Sequence, residues 1–159
     1  MVINVSMAEV KTAKSPERLT TFPLGSCVAV MLYDEMTRIG SIAHIMLPDI
    51  KLAKSKMNKA KFANTAVEIM LKEMIGLGAA RERIKAKITG GSNMFSSIAP
   101  AHSMHIGLRN VAMVKNELKK RKIRLVAEDT EENYSRSVEF ILETGMVRIK
   151  SAIRGIQEI

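Results

Sequence analysis

Ser26-Cys27-Val28-Ala29-Val30-Met31-Leu32-Tyr33 and Ile39-Gly40-Ser41-Ile42-Ala43-His44-Ile45-Met46-Leu47 are two short apolar runs joined by the polar stretch Asp34-Glu35-Met36-Thr37-Arg38. Runs of this length and β-branched content, separated by a connection of hairpin length, read as adjacent antiparallel strands. Antiparallel neighbours run in opposite senses, so Cys27 near the start of the first and His44 near the end of the second fall at one end of the hairpin. Thr20-Thr21-Phe22-Pro23-Leu24-Gly25-Ser26 precedes the cysteine and ends in a Gly-Ser turn. A cysteine kept for packing usually sits inside an apolar run; this one lies at the mouth of one, beside backbone amides free to face a substrate.

Residues 48 to 60 are polar and lysine-rich and read as a mobile loop leading into a helix. Phe62, Ala66, Ile69, Met70 and Met74 then recur near helical spacing, with Gly76 and Gly78 as stops. A third strand is expected over Ile84 to Thr89, followed by a loop opened by Gly90-Gly91 and a second helix beginning near Gly107, with Leu108, Val111, Ala112 and Leu118 on its inner face. Its tail, Lys119-Lys120-Arg121-Lys122, sets positive charge where the helix macrodipole favours it, and a solvated helix end is the simplest account of it. Ile123 to Ala127, Val138 to Leu142 and Val147 to Ile149 alternate apolar and polar residues as further strands. Strands at both ends with two helices between them, not in strict βαβ alternation, predict an α/β (α+β) layered sandwich with a mixed, largely antiparallel sheet and two main helices.

The 159 residues suit one domain over 1 to 159, with no repeat or Gly/Ser/Pro-rich linker dividing it. A single cysteine excludes an internal disulfide, and no basic start leads into a signal-type apolar segment, so a cytoplasmic setting is expected. The apolar runs are too short to cross a bilayer. The net charge of +9 favours acidic partners, but an aromatic content of 4% with no Trp leaves few stacking platforms for nucleic acid, which is not expected as a partner. The twelve Met residues read mainly as core filler.

A free thiol is only a few per cent thiolate at neutral pH, and a neighbouring imidazole both lowers its pKa and accepts its proton. Cys27 and His44 can form that pair, and the amides around Gly25, Ser26 and Cys27 can hold an oxyanion, since Gly25 offers no side chain to block a substrate carbonyl. Thr20, Thr21 or Ser26 can orient the imidazole. This chemistry is acyl transfer on an amide or ester through a thioester. A metal site at His102-Ser103-Met104-His105, completed by Cys27 or His44, is the competing reading; with no acidic residue in that loop it matches zinc spacings poorly, and neither a metal nor a cofactor is called for.

Thr21-Phe22-Pro23-Leu24-Gly25-Ser26-Cys27-Val28-Ala29-Val30 and Gly40-Ser41-Ile42-Ala43-His44-Ile45-Met46-Leu47-Pro48 resemble the signature of the CheD family, the chemoreceptor glutamine deamidases. Ala63-Asn64-Thr65-Ala66-Val67, Ile88-Thr89-Gly90-Gly91-Ser92-Asn93-Met94-Phe95, Ile106-Gly107-Leu108-Arg109-Asn110, Ala127-Glu128-Asp129-Thr130, Arg136-Ser137-Val138-Glu139 and Glu143-Thr144-Gly145 resemble further blocks in the family's order. The resemblance implies a layered α/β fold similar to the catalytic domain of cytotoxic necrotizing factor, and hydrolysis of glutamine side chains in receptor helices to glutamate and ammonia. By position it places the nucleophile on Cys27, the base on His44 and the orienting hydroxyl on Thr21. It implies the cytoplasmic helices of chemoreceptors and a CheC-type phosphatase as partners.

Two departures from the family pattern stand out. Glu131-Glu132 occupies the place of a glycine pair, so a changed backbone is expected in that loop. Pro23 replaces a small residue and is expected to stiffen the turn before Cys27. A non-catalytic module that binds receptors or the phosphatase is the alternative, and the joint presence of Cys27, His44 and Thr21 argues against it.

Overall fold

The expected hairpin forms, and it is the middle of the molecule. In the computed structural model, which describes residues 1–94 and 105–159, β4 (Val28–Asp34) and β5 (Ile39–Ile45) pair antiparallel from Val28 opposite Ile45 to Asp34 opposite Ile39. Side chains alternate across a strand, and here both faces are apolar. Val28, Val30, Leu32, Ala43 and Ile45 enter one core, whereas Ala29, Met31 and Ile42 enter another. A hairpin covered on both sides is a central layer.

The strands divide between two five-stranded sheets. In the central one, β2 (Val10–Lys14) flanks β5, while β6 (Lys85–Gly90) and β7 (Arg124–Thr130) continue beyond β4, the order being β2-β5-β4-β6-β7. Only β6 and β7 run parallel there. The other sheet, ordered β1-β3-β8-β9-β10, contains β1 (Val2–Asn4), β3 (Arg18–Leu24), β8 (Arg136–Ile141), β9 (Met146–Ser151) and β10 (Gly155–Glu158). Leu19, Leu24, Val138, Phe140, Val147 and Ile149 from this sheet pack against Ala29, Met31 and Ile42.

Two helices cover the opposite face of the central sheet. The first, α1 (Ala63–Gly76), buries Ala66, Val67, Met70 and Met74. It ends where expected, with Gly78 at φ +112 and the Ala79 N–H returning to Met74 O, a left-handed exit that suits glycine. The second, α2 (Ile106–Lys120), buries Gly107, Val111, Val114 and Leu118 together with Asn110 and Glu117. Leu108 and Ala112, expected on that inner face, are exposed. Glu117 is buried because Arg121 and Lys120 pair with it at 3.3 and 3.7 Å, which also accounts for part of the basic tail. No helix among the described residues is long and apolar enough to cross a membrane.

Candidate active site

The hairpin register places His44 opposite Ala29, so Cys27, two residues before Ala29, is a diagonal neighbour on the same face. Diagonal neighbours in an antiparallel pair lie about 7–8 Å apart at Cα, within reach of side chains the size of Cys and His. That face looks towards the other sheet. There the imidazole is wholly buried, while Cys27 remains partly open to solvent.

The ring is held from the opposing sheet. Thr21 on β3 is also fully buried, and its Oγ1 lies 2.7 Å from His44 Nδ1. The same hydroxyl lies 2.6 Å from Val5 O, a carbonyl that can only accept. The single hydroxyl proton therefore goes to Val5, and Thr21 accepts from Nδ1–H. That assignment leaves Nε2 with a lone pair and no proton. Among the described residues Nε2 is buried without a hydrogen-bond partner. Burial pushes the imidazole pKa down to about 4, so the ring is neutral at neutral pH. Burial also pushes the Cys27 thiol up, partly offset by the hydrogen bond from its own backbone N–H. The resting pair is thus a neutral thiol beside a neutral imidazole, and no hydrogen bond joins them among the described residues.

Around the thiol, three successive carbonyls are tied back into the protein. Gly25 O accepts from Ser92 N–H at 2.8 Å and Cys27 O from Gly91 N–H at 2.8 Å. Ser26 O accepts from Asn110 Nδ2 at 2.9 Å, and the same amide donates to Met46 O at 3.0 Å at the end of β5. In a trans peptide the N–H points opposite to the C=O. Fixing Gly25 O and Ser26 O inward therefore turns the N–H groups of Ser26 and Cys27 outward, whereas Val28 joins the sheet ladder. The N–H groups of Gly25 and Ser26 donate no hydrogen bond among the described residues.

The clamp has its own supports. A Cβ at Gly107 would lie 2.5 Å from both Gly91 O and Ser92 O, so only glycine lets α2 approach this closely. Ser92 Oγ receives Arg136 Nη1 at 2.8 Å. Arg136 is buried, pairs with Asp129 at 3.3 Å and also donates to Glu131 O at 3.0 Å. Glu131 and Glu132 adopt φ +70 and +65, the left-handed backbone a glycine pair takes without strain. Pro23, which has no N–H to offer a ladder, sits where the β3–β8 register shifts between Thr21 and Leu24.

Of the three residues open as orienters, the structure brings Thr21 to the ring. Of the loop histidines, His102 lies outside the described residues and His105 is an exposed residue at the start of α2. Among the described residues no group of His, Cys, Asp and Glu side chains is arranged to hold a metal. A cavity of about 430 Å³ lies at the far end of β4, around Tyr33, Met36, Lys85, Lys87 and Phe140, away from the thiol. Sequence reasoning gave no role to Val5, Ser92, Asn110 or Arg136. A backbone carbonyl carries no side-chain signature, and the other three sat in quoted blocks without chemistry attached.

A partly open thiol, a buried imidazole with a fixed tautomer and outward amides thus meet at one end of the hairpin on a β/β/α scaffold. Comparison with known proteins then identifies the lineage. The family described as CheD chemotactic sensory transduction matches residues 46–151. The chain is 44% identical over 158 residues to the probable chemoreceptor glutamine deamidase CheD of Caldanaerobacter subterraneus subsp. tengcongensis, covering 99% of this chain and 98% of that protein. It is 45% identical over 158 residues to the probable chemoreceptor glutamine deamidase CheD of Moorella thermoacetica, covering 99% and 95%. With the chemoreceptor glutamine deamidase CheD of Halalkalibacterium halodurans it shares 40% over 159 residues, covering 99% and 98%. The chain belongs to the CheD family.

Proposed function

We propose that this chain is a cysteine-dependent deamidase of glutamine side chains in chemoreceptors, acting in the cytoplasm as one domain in chemotactic adaptation. The observation that carries the reading is the Thr21–His44 hydrogen bond, which leaves Nε2 unprotonated and unpartnered on the face shared with Cys27.

In this reading a bound carboxamide brings the two groups into contact. Nε2 takes the thiol proton as sulfur attacks the carboxamide carbon, and the developing oxyanion is held by the amides of the Gly25-Ser26-Cys27 turn. The C–N bond breaks, and ammonia leaves with the proton carried by Nε2. Water enters, gives a proton to Nε2 and attacks the thioester carbon. Glutamate departs, and the thiolate takes the proton back. No metal or cofactor enters the balance. Thr21 acts as a positioning residue, because a ring held by Nδ1 presents Nε2 throughout both halves of the reaction. A CheC-type phosphatase is proposed as a partner on the strength of family membership.

The test is mass spectrometry of a receptor cytoplasmic fragment together with ammonia release. The expected result is the mass gain of an amide-to-acid exchange at a glutamine, lost in Cys27→Ala and His44→Gln. Conversion that persists in Cys27→Ala would overturn the assignment of the nucleophile.

A further inference from the structure

Among the described residues the largest side chain buried in full is that of Arg136. Stability does not explain a guanidinium there, because a buried ion pair recovers little more than the cost of taking its charges out of water, and an apolar side chain of similar size fills a core as well. Its donors divide between two sides. Nε and Nη2 face the Asp129 carboxylate at 3.3 and 3.4 Å, and Nη1 faces Ser92 Oγ at 2.8 Å and Glu131 O at 3.0 Å. The centre of the Tyr134 ring lies 4.7 Å from Cζ, so an aromatic face backs the group.

Arg136 meets the thiol turn along two routes. Its backbone lies opposite Leu24, where β8 pairs with the end of β3, one residue before Gly25. Its guanidinium reaches the same turn from the other side, through Ser92. Ser92 Oγ lies 2.7 Å from Tyr134 O and 2.9 Å from Glu131 O, which can only accept, so its proton is committed to them and its lone pair receives Nη1–H. With that hydroxyl fixed, the Ser92 backbone N–H meets Gly25 O at 2.8 Å. The peptide that carries Gly25 O also carries the Ser26 N–H, which therefore faces outward.

We propose that Arg136 is a positioning residue for the Ser26 N–H, acting through Ser92 and Gly25 O, and that this role is why the protein keeps a buried arginine. The role rests on the deamidase reading for what the N–H holds, and on the contacts above for how it is aimed. An oxyanion exists only once sulfur has attacked, so an N–H aimed at it stabilises the transition state and not the bound substrate. Loosening the clamp therefore lowers kcat and leaves KM nearly unchanged. It also spares the reaction of the thiol with iodoacetamide, in which sulfur bonds to a saturated carbon, iodide leaves and no oxyanion forms.

The experiment uses the full chain with Ser92→Ala, which keeps the backbone N–H but removes the hydroxyl, with Arg136→Lys, which keeps the charge but not the fork, and with both. Ammonia release from a receptor cytoplasmic fragment, alkylation of Cys27 by iodoacetamide and hydrogen exchange of the N–H at position 92 are measured on variants shown to be folded by circular dichroism. In each single variant kcat is expected to fall about 10- to 100-fold, with KM and the alkylation rate within about twofold of the wild type. The double variant is expected to lie within about twofold of the slower single one, because both cut the same connection. Exchange at position 92 is expected to quicken about tenfold, as its bond to Gly25 O loosens. An unchanged kcat in Ser92→Ala, or kcat and alkylation falling by the same factor, would overturn the role. If Arg136→Lys does not fold, Ser92→Ala decides by the same readouts. If the wild type releases no ammonia, the deamidase reading fails, and the exchange rate at position 92 still decides the clamp: faster exchange supports it and unchanged exchange overturns it.

Discussion

Thr21 and His44 stand on different sheets, and the 2.7 Å contact between Oγ1 and Nδ1 joins those sheets through the buried imidazole. Because Val5 O takes the threonine proton, the contact has a direction as well as a length. The tautomer of the proposed base is therefore set by a carbonyl that never meets substrate.

Removing the hydroxyl tests that direction. Thr21→Val keeps the shape but cannot accept from Nδ1–H, and kcat for ammonia release is expected to fall about 10- to 100-fold, the span outer hydrogen-bond partners of functional imidazoles commonly carry. Thr21→Ser is expected to restore most of it. A purely structural role would leave Thr21→Val and Thr21→Ser equally active once both are shown to be folded.

The buried imidazole couples acid to stability. His44 has a folded pKa of about 4, below its ordinary value of 6.5, so between these values the unfolded chain binds a proton that the folded chain refuses. Stability is therefore full above about pH 6.5 and declines as pH falls towards 4. Urea midpoints between pH 7 and pH 4.5 are expected to fall less steeply for His44→Gln than for the wild type. Parallel slopes would contradict a neutral buried ring.

Asn110 spans two strands' ends with one amide. Asn110→Ala leaves Ser26 O and Met46 O without their donor, and is expected to cost about 1–3 kcal/mol of stability, the range for a buried polar group left unsatisfied. It also releases the turn whose amides are proposed to hold the oxyanion. A larger loss in kcat than in KM is the expected kinetic signature, measured on one receptor fragment.

Glu131 and Glu132 offer the opposite case, a gain. Each sits at positive φ, where an L side chain is strained by about 1–2 kcal/mol and glycine is not. Glu131→Gly and Glu132→Gly are each expected to raise stability by about 0.5–1 kcal/mol after the extra freedom of glycine in the unfolded chain is counted, readable as a higher melting temperature. Activity is expected to be unchanged.

Asp34 anchors the far end of the hairpin. Burial would raise its carboxyl, but Arg83 at 2.8 Å and the N–H groups of Ala80 and Met36 hold it well below the usual carboxylate range. Its contribution is present above its ordinary pKa of 3.8 and is lost as pH falls below that value. Asp34→Asn, which weakens the acceptor for Ala80 N–H, Met36 N–H and Arg83, is expected to lower the urea midpoint at neutral pH.

The hairpin was legible because Val28 to Tyr33 and Ile39 to Ile45 are apolar on both faces and a polar connection separates them. The strands before it were not. β1 and β2 are short, bury little beyond Ala13 and carry Lys11 and Lys14 in β2, and they are strands because β3 and β5 pair with them. The same limit explains α2, where counting apolar residues favoured Leu108 and Ala112, whereas hydrogen bonding drew Asn110 and Glu117 inside. At the site, hairpin topology alone was enough to bring Cys27 and His44 together. Spacing left Thr20, Thr21 and Ser26 equivalent, since the partner that separates them, Val5 O, belongs to the backbone. The split into two sheets depends on long-range pairing of β3 with β8, which no local pattern announces.

The clamp on Gly25, Ser26 and Cys27 also has an order in time. Thiol, imidazole and orienting hydroxyl all emerge from the ribosome within the first 44 residues, but the groups that turn the amides outward come from Gly91, Ser92 and Asn110, and the brace on Ser92 comes from Arg136. A nascent chain thus carries the proposed nucleophile and base before the residues that shape the proposed oxyanion site have been made. The proposed site is therefore fully shaped only after residues from the middle and the last third of the sequence have docked on the hairpin.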